Sequence, residues 1–209
     1  VLARNGDTAP TYFDPPVADT SGALYAVIAI LGALQARRAG GTGCHIDLAL
    51  ADVPMSLQLF QVADFGANAT VPGRNRTYLN GGAAYYRIYA TADGRHLVLS
   101  AVEPKFWSNF CAAAGRLDWI SRHGDPIPQH DLIRELEPYF ADLNLADCLA
   151  RFGGDCMVSP VLELDEALAT DHVLERGIVR RAEAGDLQAL FPARIDGEPP
   201  ATRPPLRLR

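Results

Sequence analysis

The segment Val17-Ala18-Asp19-Thr20-Ser21-Gly22 runs directly into Ala23-Leu24-Tyr25-Ala26-Val27-Ile28-Ala29-Ile30-Leu31. A helix over Thr20 to Arg38 is apolar on every face, and such a helix belongs in a core. Arg37 and Arg38 suit its C-terminal end, and Gly40-Gly41 stops it. Asp19 then stands immediately before the helix, where the core meets a cleft. The first N–H groups of a helix have no intrahelical partner and carry partial positive charge. They can bind an anion, or an oxygen that becomes anionic during a reaction. Thr20, Ser21 and Gly22 are small enough for a ligand to approach the backbone. Asp19 or Thr20 fits equally well as an N-cap with no chemistry, and both readings stand at this point.

The rest of the composition narrows the class. With 209 residues, 48% of them hydrophobic and 21% charged, the chain is ordinary globular material for one or two domains. The net charge of −6 and the lack of a basic run argue against a nucleic-acid partner. The longest apolar run, Ala23 to Leu34, is too short to span a bilayer, and the N-terminus lacks the pattern of a signal peptide. The expectation is a cytoplasmic protein with no membrane partner. Cys44, Cys111, Cys148 and Cys156 lie far apart with no C-x-x-C pair and no histidine at zinc-site spacing. They read as reduced, buried small hydrophobes, and no metal site is expected. Residues 1–16 are loop-like and begin without methionine, as though cut from something longer.

Further along, Thr42-Gly43 turns the chain into Cys44 to Leu50, whose alternation predicts a strand. A helix follows over Val53 to Phe65. Helix, glycine turn, strand and helix make an α/β layer. Residues 66–82 are irregular and read as a domain boundary. The clearest hairpin pairs Ala84–Thr91 with Arg95–Val102 across Ala92-Asp93-Gly94, with Tyr85 and Tyr89 on one face and Tyr86 on the other. Glu103-Pro104 ends the second strand and opens a helix over Lys105 to Ala114, stopped by Gly115. Helices are predicted over Gln129 to Phe140 and from Asn144 or Leu145 to Phe152. A short strand follows over Cys156 to Val161, then an acidic helix over Leu164 to Glu175. Paired strands are predicted within Ile178 to Ile195, and the tail from Pro199 to Arg209 reads as extended.

Two acids sit at structural punctuation, Asp19 before the apolar helix and Glu103 between a strand end and a helix start. Paired carboxylates in a partly apolar cleft push each other's pKa values apart. A solvated acid at a helix start accounts for Glu103 just as simply. Gly81-Gly82 fits a ligand loop or a plain linker and matches no phosphate-binding fingerprint. The tyrosines suit hairpin packing, and the five histidines suit edges or surfaces. A Gly-x-Ser-x-Gly elbow is absent.

Four segments taken together resemble the class III CoA-transferases, which include the α-methylacyl-CoA racemases. They are Val17–Ala26, Gly43–Leu50, Gly81–Tyr86 through Ala92-Asp93-Gly94 to Ala101–Phe106, and Val158–Val161 with Asp171-His172 and Arg176-Gly177. The resemblance implies an α/β fold: pieces of a Rossmann-like CoA-binding large domain plus a smaller α+β domain, in an interlocked homodimer. By that pattern 1–60 and 180–209 belong to the large domain, 75–160 form the small one, and 61–74 and 161–179 link them. It also implies that the catalytic aspartate falls on Asp19 and the racemase-type glutamate on Glu103. Acyl-CoA contacts fall on Ser21, Gly22, Gly81, Gly82, Tyr86 and Val102. Coenzyme A enters as a thioester substrate, with no covalently bound cofactor. The family's N-terminal half lies outside this sequence, and with it the histidine that racemases use as second base. The chain therefore reads as a fragment or a partner-completed half, and Pro15 stands where racemases tend to carry asparagine. The implied activity is racemisation at the α-carbon of an acyl-CoA. The alternatives are CoA transfer through an aspartyl thioester and a non-catalytic remnant.

Overall fold

The computed structural model describes residues 15–69, 71 and 73–204. The loop expected over 1–16 therefore lies outside the described residues up to Asp14, as does the end of the tail. The described chain forms a mixed α/β fold in two compact units, one ending at Ser159 and the other starting at Pro160.

Helix α1 spans Val17–Arg38, three residues earlier at its start than the apolar pattern predicts. Pro15 and Pro16 account for the shift, since proline lacks an N–H and its fixed φ suits a helix entry. Pro16 occupies the N-cap, and the Thr20 amide makes the first ladder bond, to the Pro16 carbonyl at 3.1 Å. Neither Asp19 nor Thr20 is a cap. Asp19 lies inside the first turn, and the Thr20 hydroxyl donates back to the Pro16 carbonyl at 2.9 Å.

The second correction concerns burial. Gly22 is the one buried residue of α1, while Leu24, Ile28 and Leu31 are each more than half exposed. An apolar run demands a cover, and these described residues do not supply it. With Val17 to Arg38 in a single helix, whose most apolar 18-residue stretch has mean hydropathy 1.7, α1 is also long and apolar enough by composition to cross a membrane. The helix exceeds the run Ala23 to Leu34 because it also takes in the residues from Val17 to Gly22 and from Gln35 to Arg38.

The predicted strand over Cys44 to Leu50 does not form. These residues run without ladder partners, and alternation alone cannot make a strand where no neighbour supplies hydrogen bonds. The following helix is broken in two, α2 over Asp52–Ser56 and α3 over Leu59–Asn68. Phe60 and Phe65 of α3 are exposed like the apolar residues of α1.

The hairpin forms as predicted. Strand β1 (Tyr86–Ala90) pairs antiparallel with β2 (His96–Ser100), Tyr86 opposite Ser100 and Ile88 opposite Val98. Gly94 takes φ +74° in the connection, where a side chain would be strained. Strand β3 (Val158–Pro160) adds to the other edge of β2, with the Ser100 amide donating to the Met157 carbonyl at 2.9 Å. Helix α4 covers Pro104–Ala114 and ends at Gly115 with φ +71°. A 3₁₀ segment over Leu117–Gly124 follows, then α5 (His130–Ala141) and α6 (Leu145–Phe152).

One face of the sheet and these helices enclose the core. Tyr89, Leu97 and Leu99 from the strands meet Trp107, Phe110, Trp119, Phe140 and Phe152, all buried. Phe110 sits at the centre, its ring centroid 5.0–6.3 Å from those of Trp107, Trp119, Phe140 and Phe152. Asp93 ties the hairpin tip to α6: one carboxylate oxygen accepts from the Thr91 hydroxyl at 2.6 Å, the other from the Leu145 amide at 3.2 Å. Cys111, Cys148 and Cys156 are buried as expected, and burial pushes the Cys111 thiol up to about 12. Cys44 departs from the expectation and is exposed.

The second unit holds α7 (Leu164–Leu168), α8 (Asp171–Arg176) and an antiparallel pair, β4 (Val179–Arg181) with β5 (Leu187–Ala189). The single helix predicted over Leu164 to Glu175 divides because the Thr170 hydroxyl caps α8, accepting from the Val173 amide.

Glu135 on α5 is the electrostatic clasp of the first unit. It accepts from the Trp119 indole at 2.9 Å, from Arg116 at 2.9 Å and from Arg122 at 2.5 Å. The Trp119 indole and the two guanidiniums hold its carboxyl below the ordinary value of 4.5. The unfolded chain then takes up this proton more readily than the folded one. The stabilisation is complete above pH 4.5 and is lost as pH falls through the folded value. We expect thermal melting to hold level above pH 5 and to fall steeply below about 4.5, with E135Q flattening that fall. At neutral pH, E135A should lower stability by about 1–2 kcal/mol, charge-assisted bonds being discounted for partial exposure.

Candidate functional site

Because α1 starts at Val17, the backbone N–H groups of Val17, Ala18 and Asp19 precede the first ladder bond. Those of Ser21 and Gly22 fall within the helix, which corrects the expectation that they would be the free donors. The Asp19 carboxylate is exposed in this first turn and makes no hydrogen bond or ion pair among the described residues. Gly22 packs tightly: the space a Cβ would need is filled by the Leu50 side chain, with Val53 beside it.

Glu103 is the N-cap residue of α4, exposed, with φ −78° and ψ 138°. Its backbone carbonyl accepts from the Phe106 and Trp107 amides at 3.0 and 3.2 Å, while its side chain makes no capping bond. The carboxylate therefore stands free at a fixed backbone position. Among the described residues no hydrogen bond or ion pair joins Asp19 to Glu103.

Gly81 takes φ +98° and Gly82 is buried. A Cβ on Gly82 would lie 2.5 Å from the Arg76 carbonyl carbon and 2.8 Å from the Thr77 oxygen, so only glycine lets the 73–82 loop close. Gly81 and Tyr86 line an open cavity of about 400 Å³ together with Asn75, Leu79, Arg87 and Ile88. The Arg87 guanidinium donates to the Gly81 carbonyl at 2.7 Å and reaches Glu137 at 3.4 Å. Gly82 is not among the residues that line it.

Two residues with no signal in the sequence connect these parts. Gln129 is 4% exposed. Its amide N–H donates to the Gly82 carbonyl at 2.9 Å, and its side-chain oxygen accepts from the Ala84 amide at 2.9 Å. Its side-chain nitrogen donates toward the carbonyls of Arg122, His123 and Asp125, each at 3.2 Å. His123 in turn stacks on Tyr85, ring centroids 4.1 Å apart, and its Nε2 lies 3.0 Å from the Val102 carbonyl. A carbonyl can only accept, so Nε2 carries the proton. The glycine loop, the hairpin start and the peptide leading into Glu103 are thus joined by one polar chain. In the sequence Gln129 looks like any polar helix-start residue, and His123 like a surface histidine.

The family model for CoA-transferase family III matches residues 2–206. The chain belongs to CoA-transferase family III. Among curated members of this and related groupings, human α-methylacyl-CoA racemase is 28% identical over 168 residues, which is 79% of this chain and 44% of that protein. The succinyl-CoA:mesaconate CoA-transferase of Haloarcula hispanica is 26% identical over 182 residues, 84% of this chain and 45% of that enzyme. The chain spans less than half the length of these relatives. In three dimensions it matches a CaiB/BaiF family protein from Brucella suis with a TM-score of 0.72 at 21% identity, covering 93% of this chain and 53% of that one. A hypothetical protein from Mycobacterium tuberculosis gives 0.72 at 22% identity over 94% of this chain and 53% of that one. These matches show the family III fold across nearly the whole chain.

Replacing Gln129 tests the polar chain. Q129L should leave the Ala84 amide and three carbonyls without their partner and cost about 2–4 kcal/mol of stability. Chemical denaturation of the variant would measure this loss, and Q129E should recover little of it because the three carbonyls lose their donor.

Proposed function

We propose that the chain is the C-terminal part of an α-methylacyl-CoA racemase-like isomerase. The observation that carries this reading is Glu103, a free carboxylate at the close of β2 whose backbone is tied to the glycine loop. In the proposed reaction a base removes the α-proton of an acyl-CoA thioester. The C–H electron pair moves into the enolate, and an acid on the other face returns a proton to the same carbon. Asp19 serves one face. The resemblance assigns the opposite face to a histidine upstream of this sequence. Glu103 hydrogen-bonds to this machinery and tunes it, and the free N–H groups of the first turn of α1 steady the enolate oxygen. The cavity beside Gly81 and Tyr86 takes part of the acyl-CoA. No metal and no resident cofactor enter the reaction, and coenzyme A is substrate only.

The similarity to the Haloarcula hispanica transferase favours a second reading. There the Asp19 carboxylate attacks the thioester carbonyl and coenzyme A leaves as thiolate. That thiolate then attacks the aspartyl carbonyl, giving an aspartyl-CoA thioester and releasing the carboxylic acid. In the third reading the chain is a non-catalytic remnant. The uncovered apolar residues of α1 and α3 support assembly with further polypeptide, a homodimer in the family pattern, in a cytoplasmic setting.

One set of measurements separates these readings. In the protein expressed from its complete gene, racemisation should carry solvent deuterium into the α-carbon. D19N should slow that exchange about a hundredfold or more. Hydroxylamine-sensitive labelling of Asp19 without α-exchange would select the transferase instead. Absence of both, with no calorimetric heat from coenzyme A, would leave the remnant.

A further inference from the structure

We infer that His123 is the positioning residue for Glu103, acting through the Val102 carbonyl; this rests on the role proposed for Glu103. Among the described residues the Glu103 side chain makes no capping bond and no other bond that would orient it. Its direction is therefore set by the backbone on either side. On the C-terminal side the first turn of α4 holds the Glu103 carbonyl through the Phe106 and Trp107 amides. On the N-terminal side the peptide between Val102 and Glu103 is held by the hydrogen bond from His123 Nε2 to the Val102 carbonyl, 3.0 Å. The Val102 amide donates to the Ser100 carbonyl at 2.9 Å, so the chain has left the β2 ladder where Glu103 needs its support.

The imidazole is itself over-determined. Its ring lies on Tyr85 at 4.1 Å and 21° and sits near Trp107, centroids 6.3 Å apart. Its backbone carbonyl accepts from buried Gln129, whose amide N–H also binds Gly82. A half-buried histidine held by stacking, by a side-chain bond and by its own carbonyl has little freedom left. That rigidity passes to one acceptor, the carbonyl one residue before Glu103. The same chain of bonds sets Glu103 in register with the glycine loop, so a shift at either end reaches the other through Gln129 and His123.

The test uses His123→Phe, which keeps the ring on Tyr85 and removes the donor, and His123→Gln, which restores a donor. The first readout is amide hydrogen exchange over Val102–Phe106, and the second is α-proton exchange in the protein expressed from its complete gene. H123F should speed amide exchange severalfold over Val102–Phe106 while leaving β1 at the parental rate. It should also lower kcat about ten- to a hundredfold with little change in KM, and H123Q should recover most of both. Combined with E103Q, H123F should add no further loss, because it acts through that carboxylate. Unchanged amide exchange in H123F would overturn the inference whatever the kinetics. Parental kcat in H123F, or a loss that adds fully to that of E103Q, would overturn it as well. If E103Q alone keeps full activity, the role given to Glu103 falls and the positioning role falls with it. A dead E103Q beside a fully active H123F removes His123 only.

Discussion

The buried amide of Gln129 is the contact on which the first unit's polar architecture depends. A buried side-chain amide must satisfy both its oxygen and its nitrogen or it destabilises the fold. Gln129 does so with groups from three separate segments: the start of the hairpin, the 3₁₀ segment with the residue after it, and, through its own backbone N–H, the glycine loop. Remove that residue and three loops lose a common reference point. The loops concerned are the ones that carry Gly81, Gly82 and, through His123, the approach to Glu103. A loop region whose polar groups are satisfied by one buried residue is stiffer than its lack of regular structure suggests.

The aromatic core gives that network something rigid to stand on. Trp107 and Trp119 are linked by a hydrogen bond from the Trp107 indole to the Trp119 carbonyl at 3.0 Å, and Glu135 fixes the Trp119 ring from the other side. Each fully buried aromatic contributes roughly 1.5–3 kcal/mol through area alone, and their edge and stacked contacts add directionality. Arg116 lies over the Trp119 ring at 4.1 Å while also binding Glu135. Charge and apolar packing therefore reinforce the same ring, and α4, α5 and the 3₁₀ segment are locked in one arrangement.

Local rules made part of this legible in the sequence. The Asp-Gly reversal, the Glu-Pro helix opening and Gly115 each act within a few residues, and β1, β2 and α4 formed as those signals require. The faces of Tyr85, Tyr89 and Tyr86 followed from strand alternation, with the first two buried and Tyr86 at the cavity. Properties set by distant partners were not legible. Cys44 to Leu50 alternates well but has no strand beside it. Gln129 and His123 acquire their roles from segments far away in the chain, and no spacing rule marks them. α1 starts at Val17 and not at Thr20 because Pro15 and Pro16 set the helix entry more strongly than the apolar period does. Glu103 stands at an element boundary as its Glu-Pro signal requires, Asp19 lies inside the first turn of α1 and not before it, and what faces either acid depends on contacts these residues do not make among themselves.

That last point bears on how a carboxylate could work here. A hydrated carboxylate is a weak base toward a carbon acid. To draw an α-proton it needs a desolvated surrounding that raises its basicity, or a bound enolate-stabilising partner that lowers the demand. α1 carries the acid in its first turn and, behind it, a run of apolar residues that the described chain leaves exposed. At about 100° per residue, Leu24, Ile28 and Leu31 lie roughly 120–180° around the helix from Asp19, so covering them and drying the carboxylate are separate requirements. The chemistry proposed for Asp19 therefore needs a second surface, one that closes over the first turn of α1 from the aspartate's own side.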